Sequence, residues 1–373
     1  MGIPEVNSET LLVIGPVPPP HTGNSLPVSQ VIKDLGENFK IVVVNLNKPS
    51  HRSGFDSFGR VYAILRCAVQ VFWLGRNADR VYLTLAESRA GNLRDVLFYI
   101  LLVGRLRRVT AHLFGGANYR LLVARERWLT RKVNGFFISR LGAVVVEGNM
   151  QRKIFDGLAT ERRIHVVSNF AEDFLFADIS AIENKYRERN IVRVLFLSNM
   201  LPGKGHLELV RAYIAMSPAY RSKVRLTLAG KMVCPGMVYL FKSGALDRAG
   251  IEYVGSVSGE VKKNLFRGSH IFCLPTYYPY EGQPFSIIEA YASGCAVITT
   301  LHSGIVDIFT DGVNGRSVSP CSVESIVEVI GSLPDRLDEF RLYSLRNISL
   351  ARNLYSQSIF TAKMRDVIVN CDL

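Results

Sequence analysis

Glu281 and Glu289 stand eight positions apart in YPYEGQPFSIIEAYASG, residues 278–294, with a mostly apolar stretch between them. If a loop ends at Glu281 and a helix starts near Ser286, both carboxylates face one cleft from different heights. Carboxylates accept strong hydrogen bonds from hydroxyls, and the free amides of a helix N-terminus favour anions. A ligand that carries sugar hydroxyls and a diphosphate matches that combination. The bland alternative makes Glu281 a loop cap and Glu289 an exposed helix residue. The neighbours weigh against it: Pro284, Phe285, Ala290, Ala292 and Gly294 place Glu289 in tight packing, where an unpaired charge is costly.

The elements around this stretch alternate between short apolar runs and longer helical patterns. Residues 11–15, 41–46, 81–85, 109–114 and 143–146 read as strands, and helices are expected from Asn24 or Ser25, over 58–72 and over about 93–106. A polar run, ADISAIENKYRERN at 177–190, interrupts the rhythm. A second series follows, with strands at 192–197, 225–229, 253–254, 270–274 and 296–299 and helices at 207–216, 260–267, 286–293 and 323–332. Such alternation predicts an α/β fold with parallel sheets and crossover helices. The expected division is a Rossmann-like domain over 1–170, a linker over 171–190, a second Rossmann-like domain over 191–350, and a C-terminal helix over 351–373 packing back toward the first domain. Two such domains facing each other enclose a cleft, where ligands of open α/β sheets bind.

Composition narrows the classes. At 373 residues, 48% hydrophobic and 21% charged, the chain is globular and too long for one core. No run approaches the ~20 apolar residues of a membrane span. The opening MGIPEVNSET does not read as a signal peptide, and Val6 stands where a myristoylation signal starting at Met1-Gly2 needs Ser or Thr. Six cysteines at 67, 234, 273, 295, 321 and 371 form no CxxC, so they read as buried thiols of a cytoplasmic protein. Neither GxGxxG after the first strand, nor GxxxxGK[ST], nor GxSxG occurs, which argues against hydride transfer, ATP hydrolysis and serine-hydrolase chemistry.

The net charge of +13 is uneven: residues 1–170 hold 23 Lys and Arg against 12 Asp and Glu, and residues 60–145 hold 15 against 4. One face of the first domain is therefore basic, and an anionic surface is a candidate partner. Segment 94–132, with RDVLFYILLVGRLRR and YRLLVARERWLTRK, interleaves apolar residues with arginines as a protein peripheral to anionic lipid would. Nucleic acid is not expected, because aromatic and basic residues are not interleaved as a stacking groove requires and no recognition motif occurs. Oligomeric state is not legible.

EGQPFSIIEAYASGCAVITT, followed by SGIVDIFTDGVNGRSV, resembles the C-terminal signature of the family 4 glycosyltransferases, with its glutamate-seven-residues-glutamate motif. The pair together with AxxxGxxVI and DGxNG makes the likeness specific; it covers 192–318 and, more faintly, the whole chain. It implies a GT-B fold and retaining transfer of a hexosyl group from a nucleoside diphosphate sugar, UDP-sugar before GDP-sugar, to a saccharide acceptor. Glu281 would contact the donor hexose, and Glu289 the ribose. Gln283, Pro284, Phe285 and Ser286 would form the loop and helix start beside the sugar and diphosphate. Lys204 in LPGKGH would neutralise the leaving diphosphate, Gly23 in PPHTGNS would let the diphosphate and acceptor approach, and His112 in TAHLFGG would lie near the transferring sugar.

Departures also follow from the resemblance. Asn199 stands where relatives carry an arginine of the diphosphate clamp, with Arg267 and Arg316 as candidate substitutes. Asp307 replaces a glutamate, and Asn169 alters a turn and reads as structural. No DxD occurs in the chain, so the expected site uses no metal, and no cofactor is implied. The first domain would bind the acceptor. A lipid-linked saccharide of surface polysaccharide synthesis would fit a cytoplasmic enzyme peripheral on the inner face of the plasma membrane. The alternatives are a nucleotide-sugar-binding protein without transferase activity and a GT-B epimerase.

Overall fold

The computed structural model describes residues 9–19, 23–47, 57–124, 126–188 and 190–371. The chain divides into two units, residues 1–168 with 358–373, and residues 169–357.

The first unit runs β1 (Thr10–Gly15), α1 (Ser25–Leu35), β2 (Lys40–Asn45), α2 (Ser57–Gly75), β3 (Arg80–Thr84), α3 (Arg89–Leu101), β4 (Val109–Leu113), α4 (Ala117–Leu122), α5 (Trp128–Ile138), β5 (Ala143–Val146), α6 (Asn149–Arg152) and β6 (Ile164–Val166). Its six strands are parallel in the order β2-β1-β3-β4-β5-β6. The central strands are buried on both faces, which is why they read as unbroken apolar runs such as Leu11–Ile14 and Ala143–Val146.

The second unit runs α7 (Ile179–Arg187), β7 (Val192–Leu197), α8 (His206–Ala215), α9 (Pro218–Arg221), β8 (Val224–Ala229), α10 (Pro235–Lys242), α11 (Ala245–Arg248), β9 (Glu252–Tyr253), α12 (Gly259–Gly268), β10 (Ile271–Leu274), α13 (Phe285–Ala292), β11 (Ala296–Thr299), β12 (Gly315–Ser317), α14 (Val323–Gly331) and α15 (Leu337–Leu354). Its parallel sheet has the order β12-β11-β10-β7-β8-β9. A last helix, α16 (Gln357–Val369), begins at the end of this unit and continues in the first. There Thr361 donates to Asp34 and Arg365 bonds Asn38.

The stretch expected as a linker at 171–190 is part of the second unit. Ile182 and Tyr186 of α7 are buried, and Lys185 Nζ donates to the carbonyls of Ser269 at 2.7 Å and Gly294 at 2.8 Å. Tyr186 Oη donates to His270 O at 2.9 Å. Lys185 and Tyr186 tie off main-chain groups at loop ends from the buried side of α7, while Asp178, Ser180, Asn184, Arg187 and Glu188 face solvent.

Among the described residues three histidines are buried as neutral rings. Burial pushes His112 down to about 3, His206 to about 4 and His270 to about 3. His270 has no room for a second proton, since Nδ1 accepts from Arg193 N at 3.0 Å while Nε2 donates to Lys185 O at 2.9 Å. Each depressed pKa contributes stability present above the unfolded value near 6.5 and lost as pH falls through the folded value. Thermal melts are therefore expected to drop steadily below about pH 6.5. His206 has no hydrogen-bond partner on either ring nitrogen. His206→Leu should recover on the order of 1–2 kcal/mol at pH 5 and little at pH 8; equal effects at both pH values would rule out proton uptake by this ring as a cause.

Candidate functional site

Lys204 lies in the loop between β7 and α8, on a turn that presses against the loop after β10. Gly205 takes φ +77°, and a Cβ there would sit 2.1 Å from Pro275 O, so only glycine allows the two loops to touch. Tyr277 N donates to Gly203 O at 2.7 Å and fastens them. The result is a fixed direction for Lys204: its Nζ lies 2.8 Å from both carboxylate oxygens of Glu281 and 4.9 Å from the Tyr278 ring centroid. Glu281 is held in turn by Thr276 Oγ1, which donates to Oε2 at 2.8 Å, and by Ser303 Oγ, which donates to the backbone oxygen at 2.6 Å. The residue is 6% exposed.

Glu289 is on α13 and is 5% exposed, which overturns the exposed-helix alternative. It pairs with Lys262 of α12 at 2.6 Å, and Lys262 also reaches Glu172 at 3.2 Å. Burial pushes the Glu289 carboxyl above its usual range while Lys262 pulls it back. Burial pulls Lys262 down as well, but the Glu289 and Glu172 carboxylates outweigh that and hold it above its ordinary value. The shared cause is one ammonium bridging two carboxylates, so we take the charged, bridged state as the resting one.

The rest of the predicted set divides into two groups. Gln283, Pro284, Phe285 and Ser286 form the loop end and first turn of α13 beside these pairs. Gln283 is committed to the fold: its Oε1 accepts from Asn169 N at 2.7 Å, and its backbone oxygen accepts from Asn169 Nδ2 at 2.9 Å. Phe285 packs edge-on against Phe170 at 5.8 Å. Asn199 is exposed, and its Oδ1 accepts from Lys231 N at 3.3 Å, tying the loop after β7 to the loop after β8. Neither candidate substitute for the missing arginine reaches Glu281: Arg267 donates to Phe176 O at 2.7 Å, and Arg316 lies against Glu339 and Tyr343.

His112 and Gly23 belong to the first unit. His112, on β4, is fully buried with its ring 4.0 Å from that of Phe114. Tyr82 Oη lies 2.8 Å from Nδ1. Burial raises the Tyr82 pKa, so the phenol keeps its proton and donates it to Nδ1. The imidazole is then the Nε2–H tautomer, and Nε2 has no partner: a buried donor left open. The following loop is braced by Glu147, which accepts from Gly115 N at 3.1 Å, and by Glu87, which accepts from Gly116 N. Gly23 is an exposed turn residue just before α1; its neighbours Pro20, His21 and Thr22 lie outside the described residues.

Sequence reasoning missed Lys262, Glu172, Thr276 and Ser303. Lys262 carried a readable signal: it stands four positions before Phe266, the buried residue of α12, and so occupies an inward position. Thr276 and Ser303 carried none, because their roles depend on where two loops meet.

Two Rossmann-like units of this construction define the GT-B fold, and solved structures bear that out over nearly the full chain. The Anabaena protein HepE in complex with UDP-glucose has a TM-score of 0.71 at 14% identity, covering 97% of this chain and 100% of that one. The lipopolysaccharide outer core galactosyltransferase WaaB, in its apo form, has a TM-score of 0.67 at 12% identity, covering 98% and 100%. Residues 191–335 match the family described as Glycosyl transferases group 1. A curated relative named an uncharacterized glycosyltransferase, from Methanocaldococcus jannaschii, is 27% identical over 135 residues, 36% of this chain. The chain spans about a third of that relative's length, 33%.

Proposed function

We propose that the protein is a retaining, metal-independent glycosyltransferase of the family 4 kind. It moves a hexosyl group from a nucleoside diphosphate sugar, UDP-sugar first, to a lipid-linked saccharide of surface polysaccharide synthesis. The observation that carries this is the buried Lys204–Glu281 pair, inside the segment that matches group 1 glycosyl transferases.

An ammonium has three N–H donors, and Glu281 takes two. The third is left for an oxygen of the departing diphosphate, where negative charge grows in the transition state. Glu281 holds Lys204 in place and accepts from donor hydroxyls. Glu289 accepts from ribose hydroxyls, with Lys262 stabilising its charge. His112, with Nδ1 occupied by Tyr82, has its Nε2–H to donate to a sugar oxygen. No general base is assigned, since the leaving diphosphate can take the acceptor proton. The first unit binds the acceptor, and its basic surface suits a protein peripheral on the inner face of the plasma membrane.

Thermal shift with UDP-glucose, UDP-galactose and GDP-mannose tests the donor reading. A UDP-sugar at about 100 times its Kd should stabilise the protein by about 2.7 kcal/mol, visible as a melting shift of a few degrees. Release of nucleoside diphosphate that depends on added acceptor tests transfer. A shift without release would leave the nucleotide-sugar-binding alternative, and no shift with any sugar nucleotide would end both readings.

A further inference from the structure

The outer face of α2 is the reverse of what a water-exposed helix carries. Val61, Leu65, Val69 and Trp73 recur every four residues at 55%, 56%, 57% and 61% exposure, with Tyr62 beside them at 71%. Ala68 and Val71 are buried in the core, so α2 carries an exposed apolar stripe in addition to its core-facing one, with Arg66 exposed beside it. Helices of that composition are ordinarily covered. The 19-residue segment contains no Asp or Glu.

The face continues onto the neighbouring helices. β2-β1-β3-β4-β5 is the strand order, so right-handed crossovers place α2, α3 and α5 on one side of the sheet, and α3 packs against both others. Leu93 and Ile100 of α3 are 72% and 53% exposed, and Trp128 and Phe136 of α5 are 63% and 50% exposed. Both tryptophans of the chain therefore stand on this face. Cations lie on its rings: Arg76 is 4.1 Å from the Phe72 centroid, Arg140 is 3.7 Å from Phe136, and Lys132 is 5.1 Å from Trp128. Of the few acids in this region, Asp95 is fully buried and bonded to Arg94 at 2.7 Å, so it offsets nothing at the surface.

We propose that the α2–α3–α5 face docks on an anionic lipid bilayer, with the aromatic and aliphatic stripe at the boundary of headgroups and acyl chains and the arginines among the lipid phosphates. Apolar area alone would fit a second copy equally well. Charge decides against it, because residues 60–145 hold 15 basic residues against 4 acids, of which Glu126 alone is exposed, so copies meeting through this face would bring a large excess of like charge together. Among the described residues no helix is long and apolar enough to cross a membrane, so the contact is interfacial. The inference deepens the peripheral part of the proposed function and rests on it only for its purpose, since lipid binding needs no donor.

The test is partition of the full chain between buffer and vesicles of phosphatidylcholine, with or without phosphatidylglycerol, while tryptophan emission is recorded. Anionic vesicles should bind at least about tenfold more tightly and lose the protein at high salt. Trp73→Phe and Trp128→Phe should each leave a single tryptophan whose emission shifts to the blue on binding. Leu65→Ser with Val69→Ser should weaken partition by about tenfold or more, and Arg66→Gln with Arg76→Gln should reduce the preference for anionic lipid. Unchanged melting curves and UDP-sugar shifts in these variants show that fold and donor site are intact. Equal binding to both vesicles, no binding, or unmoved tryptophan emission would overturn the proposal. So would a dimer that Leu65→Ser with Val69→Ser dissociates. Vesicle binding without any sugar-nucleotide shift would sink the transferase reading alone.

Discussion

Lys204→Met is expected to lower acceptor-dependent release of nucleoside diphosphate by about 100- to 1,000-fold, the loss typical of removing one preorganised donor from a developing oxyanion. The same change has a second, separable effect. It strands Glu281, 6% exposed, without its cation, and breaking one side of a buried pair costs about 3–5 kcal/mol. Low activity in this variant alone would thus be ambiguous between lost chemistry and lost fold. The double variant Lys204→Met with Glu281→Gln removes the ambiguity. With no charge left unpaired it should regain most of the wild-type melting temperature, yet it should remain as inactive as Lys204→Met. A double variant that recovers both stability and transfer would show the pair to be a structural bridge only.

The second large effect is expected at Lys262. Lys262→Met leaves Glu289 and Glu172 sharing a pocket without the ammonium that bridges them at 2.6 and 3.2 Å. The unfolded chain loses its Glu proton near the ordinary value, whereas the Glu289 carboxyl in the fold is already raised by burial, and loss of Lys262 raises it further. A raised folded pKa contributes stability below the unfolded value that is lost as pH rises through the folded one. Measured against wild type at the same pH, the variant should therefore lose least in mild acid and most toward neutral pH, a difference reaching about 3–5 kcal/mol when the carboxylate is ionised. Glu289→Gln in the same background should remove the pH dependence of that difference. In wild type the sign at the alkaline end is set by Lys262, whose raised pKa means stability present below 10.5 and lost above it. For donor binding, Lys262→Met should raise KM more than it lowers kcat, because Glu289 is assigned to the ribose rather than the reacting bond. A difference in melting between Lys262→Met and wild type that does not change with pH would contradict the bridged-charge account.

Much of the architecture was legible in the order of residues because strand and helix periods are local. Ala296–Thr299 and Val192–Leu197 read as buried parallel strands, and the Ser286 estimate for the start of α13 fell one residue from Phe285. The stretch at 171–190 was misread for the opposite reason. Lys185 and Tyr186 count as polar in any window, but their partners are carbonyls 84 or more positions away. The site shows the same division. Glu289 declared itself through apolar neighbours that made an exposed role implausible, and Glu281 through its place in the motif that carries the family resemblance. The inward position of Lys262 was readable, but its pairing was not, because its partners lie 27 and 90 positions away along the chain.

What the sequence determined by itself is whatever nearest neighbours encode: parallel α/β units, an excess of positive charge before residue 170, and two glutamates in apolar settings that demand counter-charges. Tertiary structure alone decided which cations answer them. Lys204 reaches Glu281 because the Gly203–Gly205 turn meets the loop after β10, and Lys262 reaches Glu289 because α12 lies against α13 and residue 172. It also decided that the apolar faces of α2, α3 and α5 share one side of a sheet. Electrostatic pairing and surface patches act through space over a few ångströms, and chain order does not carry those distances until the chain has folded.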